Sequence, residues 1–166
     1  MTLITLFTDA SFCNTSKIAA YAIWAKTSGK TIRHSGLMKS KAPNSHMAET
    51  VALVNGIFVV CALMSPEPGS KIIAQSDCVA AINTLMGEHP LRRKASRAIF
   101  APVIRSYREQ VKRSGVIVEF RHVRGHQGAV TTRNAVNEWC DNECRRLLRA
   151  ARAELRAERD KKAGLA

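Results

Sequence analysis

Asp9, Glu49, Asp77 and Asp141 are carboxylates set into sequence that otherwise has little use for a charge. Asp9 closes an apolar, strand-like run from Leu3 to Thr8, and Asp77 closes another from Lys71 to Ser76. Glu49 stands near the start of a long apolar helical segment, and Asp141 near the start of a basic one. If the four converge, they offer hard oxygen ligands of the kind that a divalent cation such as Mg2+ prefers. A cation held beside a basic surface suits chemistry at a phosphodiester. Each residue alone also has a plainer explanation. Asp at a strand end often forms a turn. Glu49 favours a helix N-terminus through the dipole, and Asp141 can pair with Arg145 at i, i+4.

Positioning these groups requires a sheet with helices against it. Leu3–Thr8 reads as a first strand. Ile18–Lys26 and Thr31–Met38 flank the turn signal Ser28-Gly29 and read as an antiparallel hairpin. A loop over 39–45 comes next, in which Asn44 or Ser45 can cap a helix. Residues 46–63 read as that helix, apolar on nearly every side and so buried against the sheet. A fourth strand is expected over 71–76, a short helix over Val79–Met86, and a fifth strand over Val116–His122. Within 91–113, Ile99, Phe100, Val103, Ile104, Tyr107 and Val111 recur at helical spacing among many Arg and Lys. Pro102 either starts that helix or kinks one begun earlier. A last helix over Asn134–Lys161 carries one apolar stripe: Val136, Trp139, Cys140, Cys144, Leu147, Leu148, Ala151 and Leu155. The charged stretch after Arg152 is expected to fray. The order β-β-β-α-β-α-(α)-β-α predicts an α/β fold.

Length and charge narrow the function. The chain has 166 residues, one domain's worth, with 46% hydrophobic residues. Its 26 Lys+Arg against 13 Asp+Glu leave a net charge of +13, and the pI is near 10.2. Such an excess speaks to partners rather than fold, and nucleic acid is the first expectation. A membrane surface is disfavoured because the basic residues form no single amphipathic helix with aromatic anchors. The longest apolar run, Gly56 to Met64, is too short to span a bilayer. No signal peptide is evident. The five cysteines (Cys13, Cys61, Cys78, Cys140 and Cys144) have neither CxxC nor zinc-finger spacing, so they are read as reduced thiols of a cytoplasmic protein. Cys140 and Cys144, at i, i+4, read as small core residues. Trp24 and Trp139 likewise read as core residues rather than base-stacking platforms.

Five motifs in order then resemble the signature set of type 1 ribonuclease H: FTDAS (Phe7 to Ser11), HMAE (His46 to Glu49), QSDC (Gln75 to Cys78), VRGHQG (Val123 to Gly128) and NEWCDNE (Asn137 to Glu143). The element order matches over residues 3–150. The resemblance implies a five-stranded mixed sheet (three antiparallel strands, then two parallel) with helices on both faces. Its domain would fill residues 1–150, with 151–166 a charged helix end and tail. It implies a monomeric endonuclease that hydrolyses the RNA strand of RNA–DNA hybrids with two Mg2+ ions, Mn2+ being an alternative, and leaves 5'-phosphomonoesters. The metal ligands would be Asp9, Glu49, Asp77 and Asp141, with Asp9 bridging the ions. His126 would act off the metal, moving protons near the leaving group or assisting product release.

Two departures accompany the resemblance. The family's glycine-rich turn after the first Asp is missing from Asp9-Ala10-Ser11-Phe12-Cys13-Asn14, which leaves Ser11 or Asn14 to contact the RNA strand. The segment between His126 and Asp141 is about five residues longer than the family spacing and is expected as a long loop over 127–140. Asn44, Ser45 and His46 are further candidates for substrate contact, and the basic run Arg92-Arg93-Lys94 is a candidate for phosphates. Two other functions stay open: a junction-resolvase-like carboxylate nuclease, and a non-catalytic hybrid-binding module.

Overall fold

A computed structural model of the chain describes residues 1–88, 94–124 and 131–164, the side chains of 94–96 excepted. Its elements are β1 (Leu3–Phe12), β2 (Ala19–Lys26), β3 (Thr31–Leu37), α1 (Ser45–Met64), β4 (Lys71–Ser76), α2 (Val79–Met86), α3 (Lys94–Ser114), β5 (Ile117–His122) and α4 (Thr132–Ala163). The five strands form one sheet in the order β3-β2-β1-β4-β5. β1–β2 and β2–β3 are antiparallel, while β1–β4 and β4–β5 are parallel. This is the mixed sheet that the sequence predicts.

The alternation along β1 assigns the two faces. Ile4 and Leu6 point into a core with Ile23, Ile72 and Ala74 from neighbouring strands and Leu53, Ile57 and Val60 from α1. Phe7 points the other way, to Ala22 and to Cys140 and Cys144 of α4. Helix α1 can sit on the sheet because it is apolar almost all round. Its length and mean hydropathy of 2.0 over 18 residues would suffice to cross a membrane, yet half of that stretch is buried in the fold. Reading the Gly56 to Met64 run alone understated this helix. Contact is close at Gly56, where a Cβ would lie 2.6 Å from Thr8 Cγ2 and 3.2 Å from Leu6 Cδ2. Only glycine lets the helix backbone come this near β1.

Several boundaries differ from the sequence reading. β1 does not end before Asp9 but runs on to Phe12, because Asp9 to Phe12 keep their pairing with β2. Pro102 lies inside α3, so the helix begins upstream of it. Helix α4 begins at Thr132, two residues before the expected Asn134, so most of the longer 127–140 stretch that is described is helix rather than loop. Thr131 caps it by accepting from the Asn134 amide at 3.2 Å. The stretch after Arg152 does not fray either: α4 continues to Ala163, although its residues beyond Ala151 are exposed. Leu155 accordingly leaves the apolar stripe.

Candidate metal centre

The parallel pairing of β1 with β4 stops at Phe7 and Gln75. Beyond that pair β1 continues alongside β2, with Asp9 opposite Ala22, while β4 ends at Ser76 and the chain turns away at Asp77. The parted strand ends leave a notch with a carboxylate on each side. Helix α1 closes it from the third side. Its N-cap Asn44 accepts a hydrogen bond from the Met47 amide at 2.8 Å, which fixes the helix start and carries Glu49 to the notch. One carboxylate oxygen from each of Asp9, Glu49 and Asp77 lies within 4.8 Å of the others.

Three carboxylates this close repel one another, and burial worsens the repulsion. Two unit charges at that spacing cost about 3 kcal/mol at an effective dielectric near 20. Asp9 is only 4% exposed. Burial first, then the charges of Asp77 and Asp141, push its pKa up to about 7, with the Ala10 backbone N–H and Arg145 offsetting part of the rise. Glu49 is raised well above the usual carboxylate range by burial and then by Asp9 and Asp77. Its Oε2 is buried and has no hydrogen-bond partner among the described residues. A buried orphan oxygen facing two more carboxylates fits a divalent cation with oxygen ligands.

Asp141 stands apart from this trio. It is the tenth residue of α4 and pairs with Arg145 one turn on, Nε to Oδ1 at 2.8 Å. It is near enough to raise the pKa of Asp9, but among the described residues the cation-holding group contains three carboxylates, not four. Helix α4 is tied to β1 by thiols: Cys144 Sγ donates to the Asp9 carbonyl at 3.1 Å and Cys140 Sγ lies 4.0 Å from the Phe7 carbonyl. Burial raises both thiols, so they stay protonated donors. Sequence reasoning missed the site role of Arg145. The only signal for it was its place four residues after Asp141.

The expected substrate contacts divide. Ser11 is half-buried on β1 opposite Ala20, and Asn14 accepts from Lys17 Nζ at 2.6 Å just beyond the strand. Asn44 and Ser45 are exposed at the α1 start. These four lie at the same edge of the sheet as the carboxylates. His46 is engaged elsewhere. Its Nε2 lies 2.8 Å from Thr84 Oγ1 and 3.1 Å from the Ala80 carbonyl, and its ring is 4.6 Å from that of Phe100. It ties α1 to α2 and α3. Arg92, Arg93 and His126 lie outside the described residues, as does the Lys94 side chain. Arg97, Arg105 and Arg108 cluster on exposed α3. Trp24 meets Phe7 edge-on with centroids 6.0 Å apart, and Arg33 lies 5.3 Å above the ring of Trp139, so both indoles pack against the α4 side of the sheet.

No protein-family model and no curated protein matches the sequence. Solved structures do match. The N-terminal RNase H domain of a Mycobacterium tuberculosis protein superposes with a TM-score of 0.68 at 11% identity, covering 93% of this chain and 99% of that one. An RNase H1 from the halophilic archaeon Halobacterium salinarum gives 0.64 at 14% identity, covering 89% and 98%. LC11-RNase H1, solved in complex with an RNA/DNA hybrid, gives 0.62 at 14% identity, covering 89% and 98%. The fold is therefore ribonuclease H-like over nearly the whole chain.

Proposed function

We propose that the protein is a divalent-metal-dependent endonuclease that hydrolyses the RNA strand of RNA–DNA hybrids. The observation that carries this reading is the trio Asp9, Glu49 and Asp77 at the parted ends of β1 and β4, with a Glu49 oxygen buried and unpartnered among the described residues. Held there, Mg2+ or Mn2+ would polarise the phosphate and ionise water at neutral pH. The protein's own part begins with geometry. β1 and α1 carry Asp9 and Glu49, and Asp77 follows directly on the end of β4, so little has to move for the three to hold an ion. Asp9, Glu49 and Asp77 would hold one ion, and Asp9 with Asp141, which is near enough to raise the Asp9 pKa, would hold a second. His126, a short segment ahead of α4, is assigned to give a proton to the departing 3' oxygen.

Ser11, Asn14, Asn44 and Ser45, at the catalytic edge, offer hydroxyl and amide groups to the sugar-phosphate backbone. The net charge of +13 and the arginines of α3 favour association with a polyanion. The solved complex of LC11-RNase H1 with a hybrid supports the choice of duplex. The five free thiols suit the cytoplasm, where we place the protein as a monomer. Asp77→Asn tests the reading: it should still bind hybrid, with an affinity that falls steeply with salt, but should not cut it. Cleavage near the wild-type rate would exclude the trio from the chemistry.

A further inference from the structure

Among the described residues, Arg145 is a cation that both contacts Asp141 and acts electrostatically on Asp9 of the trio. Its guanidinium bonds Asp141 at 2.8 Å, and its charge holds the Asp9 pKa below where burial would otherwise put it. The preceding residue in the chain anchors it: Cys144 donates to the Asp9 carbonyl at 3.1 Å, which fixes the α4 backbone beside the notch. The side chain itself stays 45% exposed and can swing away. Arg146 cannot take its place. Both its Nε and Nη2 are bound to Glu143, at 2.9 and 2.8 Å, and Glu143 also accepts from Ser35 Oγ at 2.9 Å. Of two adjacent arginines, Arg146 holds Glu143, which joins α4 to β3 through Ser35, while Arg145 pairs with Asp141.

We propose that Arg145 is a positioning residue that governs stepwise loading of the site. In the metal-free protein its guanidinium partly neutralises the carboxylates and keeps Asp141 out of the ligand set. A first divalent ion needs only Asp9, Glu49 and Asp77. A second must displace Arg145 before Asp141 can serve, so its binding is weakened by the broken ion pair and by repulsion from the guanidinium. This inference rests on the metal-dependent reading above.

The test is calorimetric titration of the intact protein with Mn2+ in the absence of nucleic acid, which needs no turnover. Wild type is expected to bind one ion well and a second weakly. Arg145→Ala should tighten the second ion about tenfold and leave the first within about threefold. Arg145→Lys, which keeps the charge, should restore weak second-ion binding. Arg149→Ala removes an equal charge from exposed α4 with no contact to Asp141, and should behave as wild type. In Arg145→Ala combined with Asp141→Asn the gain should vanish. If Arg145→Ala leaves the second ion unchanged while Asp77→Asn abolishes the first, the role of Arg145 is overturned and the metal reading stands. Equal tightening by Arg149→Ala would reduce the effect to net charge and also overturn it. If wild type binds no ion, both fall.

Discussion

Replacing Asp9 by asparagine should inactivate the protein and at the same time stabilise its metal-free form. The ordinary carboxyl value of 3.8 is raised to about 7 by burial and by the charges of Asp77 and Asp141. Because the folded-state pKa lies above the unfolded one, the fold holds extra proton between about pH 4 and pH 7. Metal-free protein therefore loses stability as pH rises through that window, and the full penalty is present above it. Some three pKa units at 1.36 kcal/mol each give about 4 kcal/mol. Asparagine keeps the shape and removes the charge, but its buried amide needs partners of its own, so a net gain of about 2 to 4 kcal/mol is expected at pH 8. For a chain of this size that raises Tm by roughly 5–15 °C. At pH 5 the gain should shrink to about 2 kcal/mol or less, because Asp9 is then already protonated in the fold. Thermal unfolding in EDTA at pH 5 and pH 8, followed by circular dichroism, reads the effect. An Asp9→Asn protein no more stable than wild type at pH 8 would refute the picture of a buried, mutually repelling trio.

Gly56→Ala should destabilise the fold by about 1 to 3 kcal/mol, since the new methyl meets Thr8 Cγ2 at 2.6 Å and α1 must back away from β1. Chemical denaturation checks this, and an unchanged midpoint would mean the helix moves freely. Asn44→Asp should preserve the α1 cap at the Met47 amide, keeping stability within about 0.5 kcal/mol, yet weaken hybrid binding by placing a negative charge near phosphates. Unaltered affinity would remove Asn44 from the substrate contacts. His126→Ala should slow turnover by roughly ten- to a thousandfold while leaving Mn2+ binding intact. Lost ion binding would instead make His126 a ligand.

Much of this architecture is legible in the sequence because its signals are local. The all-round apolar 46–63 segment requires burial, and 71–76 and Val79–Met86 match the observed β4 and α2 to the residue. The misjudged points depend on neighbours far along the chain. Nothing in residues 3–12 says that β1 outruns β4 while β2 still pairs with it, and that difference in length opens the notch. Helix α4 begins earlier and lasts longer than its apolar stripe, since charged residues such as Glu154 and Arg156 can extend a helix into solvent without a core beneath it. Carboxylate identities can be read from residue type and order, and the i, i+4 spacing of Asp141 and Arg145 announces their pairing. That this pair also bears on Asp9 depends on how α4 packs against β1, which a motif does not encode. His46 shows the same limit. Three residues before Glu49 in sequence, it is bonded to Thr84 and packed at a tilt against Phe100 in space.

The central claim is tested most directly by incubating the protein with end-labelled RNA–DNA hybrid, double-stranded RNA and a four-way DNA junction, with and without Mg2+. The expected result is cleavage of the RNA strand of the hybrid alone, only with the ion present, and products ending in 5'-phosphates. An intact hybrid in Mg2+, or a junction cut in its place, would contradict it.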